Sequence, residues 1–87
     1  MMSDIPKRIG KENIDGQIAR VGMIAELDAV NLYEQMAAMA TDRKLKETLL
    51  DIAKEEKTHM GEFQTMLLKF DKEQIKELEN GRKEVDG

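Results

Sequence analysis

Leu45, Leu49, Ile52, Glu56, His59, Phe63, Met66 and Phe70 recur at alternating steps of four and three residues. That spacing marks one face of an α-helix turned toward a core. The two central positions of the stripe are a glutamate and the chain's single histidine. Burying a carboxylate and an imidazole without partners is costly or shifts their pKa. The stripe therefore predicts a long helix and, at its middle, something that compensates two polar groups. A metal ion is the simplest candidate.

Chain length sharpens this. With 87 residues there is room for one small domain, and a two-helix hairpin of that size is marginal on its own. No cysteine is present, which excludes disulfides, cysteine-ligated zinc and iron–sulfur clusters. Oligomerisation and metal binding remain as stabilising devices. Aromatic residues make up 3% and the net charge is −4, so neither base stacking nor phosphate binding is provided for, and no nucleic-acid partner is expected. The 37% of charged residues reads as the solvated faces of amphipathic helices. No apolar run approaches the roughly 20 residues of a membrane span, and no signal-peptide core opens the chain. The expectation is a cytoplasmic protein with no membrane partner.

Along the chain, residues 1–10 contain Pro6 and Gly10 without periodicity and read as a flexible tail. A first helix is expected from Lys11 to Ala40, with Ile18, Val21, Ala25, Leu32, Met36 and Met39 broadly on one side. Gly16 and Gly22 each weaken it by about 1 kcal/mol relative to alanine. Asp42 is placed to cap a second helix from Arg43 to Phe70. Asp71, with Gln74 three residues on, caps a short third helix. That helix is expected to stop at Asn80-Gly81, leaving 81–87 as a flexible tail and 11–80 as the folded domain. No strand pattern and no internal repeat are present. The short connection makes the two long helices an antiparallel hairpin. Gly61, inside the second helix, suggests close approach of a neighbouring helix. The seven methionines fall mostly at periodic positions and read as core filler.

Glu56 and His59 form an E-x-x-H pair, neighbours on one helix surface. Glu26 lies about as far before the hairpin bend as Glu56 lies after it, so at ~1.5 Å per residue the two share one level. Glu26 falls on a face with Ala29, Val30, Tyr33, Ala37 and Ala40. One hairpin thus offers two carboxylates and an imidazole, half of the set used by carboxylate-bridged di-iron bundles. Two copies about a twofold axis would complete it, and their four glutamates would balance two Fe(II) ions. Oxygen-rich ligation with one imidazole per metal favours iron or manganese over closed tetrahedral zinc. The same residues have plainer readings: Glu56 as a surface carboxylate, His59 as a satisfied core histidine, Glu26 as partner of a lysine. Tyr33, two turns from Glu26, is either a hydrogen-bond partner of the site or an amphipathic core tyrosine. Asp28 and Glu34 flank that face, either attracting cations or simply solvated.

The segment Ile24–Tyr33 (IAELDAVNLY), followed by Glu55-Glu56-Lys57-Thr58-His59, resembles the encapsulated ferritins, short ferritin-like proteins packaged in encapsulin shells. The Glu-to-Tyr spacing of 7, the Glu-to-Glu spacing of 30 and the E-x-x-H agree, and the resemblance covers about Lys11 to Asn80. It implies an all-α fold: a two-helix hairpin with a short C-terminal helix, dimerising into a ferritin-like four-helix bundle, with dimers forming a ring of ten. It implies a ferroxidase that oxidises Fe(II) to Fe(III) at a di-iron centre on the dimer interface, two irons per site. The implied ligands are Glu26, Glu56 and His59 of each chain, with Tyr33 close by. Mineral would be stored in the encapsulin compartment. The chain departs from the family at Ala25, where an acidic residue is frequent, while Asp28 keeps a nearby acidic position. No shell-targeting peptide is identifiable after Gly81, which points to a trimmed chain or to natural fusion with the shell protein. Two other readings stand beside this one. A rubrerythrin-like peroxidase fragment would lack its usual cysteine-ligated iron module. A non-catalytic helical oligomerisation module would leave Glu56 and His59 solvated.

Overall fold

Two aspartates set the helix boundaries. Asp42 Oδ2 accepts a hydrogen bond from the Leu45 amide at 2.8 Å, capping the second helix. Asp71 donates its amide to the Leu67 carbonyl at 2.8 Å, closing the second helix, while its Oδ1 accepts from the Gln74 amide at 3.1 Å, opening the third. In the computed structural model, which describes residues 11–87, the elements are α1 (Lys11–Met39), α2 (Arg43–Phe70) and α3 (Lys72–Asp86). The tail expected over residues 1–10 lies outside the described residues. No strand occurs among those described. The fold is all-helical, with α1 and α2 forming the expected hairpin through Ala40-Thr41-Asp42 and α3 departing from the far end of α2. The Arg20 guanidinium donates to Asp71 Oδ2 and ties that corner back to α1.

The seam between α1 and α2 is built from small side chains. Ala19, Val30 and Ala37 on α1, with Ala53 and Leu67 on α2, are the buried apolar residues. The bulkier residues are less covered within one chain. Leu45, Met66 and Phe70 of the α2 stripe are roughly half exposed, as are Ile18 and Leu32 of α1, and Met39 is 81% exposed. Alanines let two backbones approach closely, so the seam follows the narrow faces, and bulky residues stand on both flanks: Ile18, Leu32, Leu45 and Met66 on one, Ile24, Leu27 and Leu50 on the other. Among the described residues, no atom stands within 4 Å of where a Cβ on Gly61 would lie.

α3 also differs from expectation. It passes through Gly81, the expected stop, and ends at Asp86, so 81–86 is helical. Gly81 keeps a negative φ, and the left-handed stop falls at Gly87 (φ 74°), whose amide reaches the Lys83 carbonyl. Arg82 bridges Glu79 at 2.7 Å and Asp86 at 3.1 Å, supporting the helix on both sides of the glycine.

Candidate metal centre

Glu26 is delivered from α1 and Glu56 and His59 from α2, at the common level fixed by their equal distance from the bend. His59 Nδ1 lies 3.6 Å from Glu26 Oε2 and 3.7 Å from Glu56 Oε1. One donor atom from each of the three residues lies within 4.8 Å of the other two. The two His59 separations are too long for hydrogen bonds. They suit ligands of one ion, because bonds of about 2.0–2.2 Å hold ligand atoms up to about 4.4 Å apart.

The carboxylates point inward, with side chains 19% and 18% exposed, whereas the imidazole is 45% exposed at the rim. Glu26 Oε2 is shielded from solvent and has no hydrogen-bond partner among the described residues. An unpartnered buried carboxylate oxygen is costly, and a cation between the three donors would compensate it. The donor set therefore fits a hard metal ion. Without one, Glu26 responds by holding its proton more tightly. Its pKa is raised, first by the Glu56 carboxyl beside it and then by burial, with His59 acting in the opposite direction.

No ion pair joins Glu26 to a lysine among the described residues. Glu34 is the carboxylate that has one, with Lys57 Nζ at 3.6 Å, so it is less free to attract cations than its sequence position suggested. Asp28 is exposed, and Tyr33 is half-buried on the Glu26 face without a hydrogen bond among the described residues. Two residues that bring the carboxylates together drew little notice in the sequence. Val30 and Ala53, each about a turn from a glutamate toward the bend, are 8% and 2% exposed and keep the helices close there. Their signal was small size at that spacing.

At ~100° per residue, Ile18, Ala25, Leu32 and Met39 of α1 lie on the same side of the hairpin as Leu45, Ile52, His59, Met66 and Phe70 of α2. The exposed edge of His59 thus belongs to a face rich in half-exposed apolar residues. Patches of this kind mark interaction surfaces.

Comparison with known proteins agrees with the all-helical fold. The family model described as EncFtn-like matches residues 2–84. A ferritin-like–encapsulin shell fusion protein of Pyrococcus furiosus is 54% identical over 69 residues, which is 79% of this chain and 20% of that protein. The chain thus spans about a fifth of that relative. The crystal structure of an encapsulated ferritin domain from Pyrococcus furiosus superposes with a TM-score of 0.84 at 44% identity, covering 95% of this chain and 85% of that one.

Proposed function

Since the chain belongs to the EncFtn-like family, we propose that it is a ferroxidase, taking Fe(II) as substrate and oxidising it to Fe(III) at a di-iron centre completed by a second copy. The observation that carries the reading is the shielded, partnerless Oε2 of Glu26 beside Glu56 and His59. That half-site opens on the flank that carries the half-exposed Ile18, Leu32, Leu45 and Met66. Pairing two hairpins through this flank would cover those side chains and bring two such triads together, giving four carboxylates and two imidazoles. Their charge matches two Fe(II) ions.

Glu26, Glu56 and His59 would hold the iron, their carboxylates favouring the ferric product over the ferrous substrate. Iron itself supplies the redox chemistry, two ions giving two electrons to oxygen or peroxide. Tyr33 stands two turns away on the Glu26 face, as a partner for the site's outer hydrogen bonds. The larger homo-oligomer, a ring of ten by family resemblance, would work inside an encapsulin shell, where the product is stored. Support for the shell partner is the name of the Pyrococcus relative, which joins a ferritin-like part to a shell protein. No described helix is long and apolar enough to cross a membrane.

The test is Fe(II) oxidation under air, followed by ferric absorbance. Rapid oxidation by the wild type, lost in a Glu56→Ala/His59→Ala variant, is the expected result. Oxidation no faster than buffer, in a protein that still oligomerises, would favour the non-catalytic module.

A further inference from the structure

Gly22 and Phe63 meet about one helical turn from Glu26 and His59, on the side away from the bend. Gly22 precedes Glu26 by four residues and Phe63 follows His59 by four. A Cβ placed on Gly22 would fall 2.6 Å from both Cδ1 and Cε1 of Phe63 and 2.7 Å from its Cγ. Such separations are not sustained by real atoms. Cγ moves only when χ1 changes, so spinning the ring about its own axis moves Cδ1 and Cε1 but leaves the 2.7 Å Cγ contact. Either the whole ring leaves the seam or the helices separate. The other glycine of α1 facing a phenylalanine is different: at Gly16 the nearest atom to a Cβ would be Phe70 Cβ, at an ordinary 3.8 Å. Open space surrounds the corresponding positions at Gly61 and Gly81.

Resting on the metal-centre reading above, we propose that Gly22 is a positioning residue for that site. Its bare backbone seats the Phe63 ring and thereby sets the α1–α2 separation at which Glu26 meets Glu56 and His59. The three donors come from two helices, so their spacing is only as well defined as the distance between those helices. Ligand sites need their groups held within about 0.5 Å. Val30 and Ala53 fix the separation on the bend side, and Gly22 with Phe63 fixes it on the other.

The experiment compares Mn(II) affinity and, in metal-free protein, the NMR signals of the His59 ring, the chain's single histidine. Gly22→Ala should weaken Mn(II) binding by about tenfold or more, the usual scale for a residue supporting metal ligands, and should shift the His59 signals. Gly16→Ala should change neither. Adding Phe63→Ala to Gly22→Ala should return both readings toward those of Phe63→Ala alone, because the methyl then has nothing to strike. The proposal is overturned if Gly22→Ala leaves the His59 signals in place, if Gly16→Ala has the same effect, or if Gly22→Ala/Phe63→Ala differs from Phe63→Ala. That last comparison decides even if Gly22→Ala alone does not fold. Wild-type Mn(II) affinity no better than that of Glu56→Ala would instead defeat the metal-centre reading, while the His59 signals still decide the role of Gly22.

Discussion

The seam inside the hairpin and the flank beside it use opposite materials. The seam is made of Ala19, Ala37, Ala53 and a few larger residues, all nearly shielded. The flank carries Leu32, Met39, Leu45, Met66 and Phe70, each 42% exposed or more. The difference teaches how a short chain builds half of a site. Small residues draw two helices together until carboxylates from both meet, and large ones are left for another surface. Because the seam buries little apolar area, the hydrophobic gain within one chain is small. The same chain has further apolar surface to bury on that flank.

The contrast can be broken from either side. A charge on the flank, Leu32→Lys, should have the largest effect, abolishing pairing and reducing iron oxidation to the buffer rate with the three donors intact. Light scattering beside the oxidation assay would read both. Within the seam, Leu67→Ala should cost about 2–5 kcal/mol through the cavity it leaves, seen as a lower unfolding midpoint. At the bend, Asp42→Ala should cost about 1 kcal/mol by removing the α2 cap, with little change in pairing. The smallest effect belongs to the α2–α3 corner. The Arg20 guanidinium, and then the Gln74 amide, hold the Asp71 carboxyl below its usual pKa. A depressed folded pKa means that the contribution is complete above the ordinary carboxylate range and is lost as pH falls through the lowered value. Asp71→Asn should flatten that acid dependence in unfolding measurements, and an unchanged profile would dismiss the corner as a stabilising contact.

Much of this was legible in the sequence because it was local. The α2 limits and the capping roles of Asp42 and Asp71 follow from residue type and position. Equal spacing from a short bend was enough to bring Glu26 level with Glu56 and His59. Where the reading went astray, the deciding contacts were tertiary or between neighbouring turns. Apolar periodicity put Ile18 to Met39 on one side of α1 without saying which face meets α2, and the close approach of two backbones favours the alanine face. Gly81 looked like a stop because glycine often is one, but the Arg82 bridges to Glu79 and Asp86 accompany a helix that continues through it. Gly22 looked only like a weak point in α1. The ring of Phe63, 41 residues away in sequence, gives it a purpose that helix propensity does not contain.

The central claim is that one hairpin holds half a metal site and a second copy completes it. Anaerobic Fe(II) titration followed by native mass spectrometry tests this most directly. The account predicts iron on paired chains and their multiples, filling at two irons per pair, with single chains remaining iron-free. Iron bound tightly to single chains, or pairs that form and never take up iron, would contradict it.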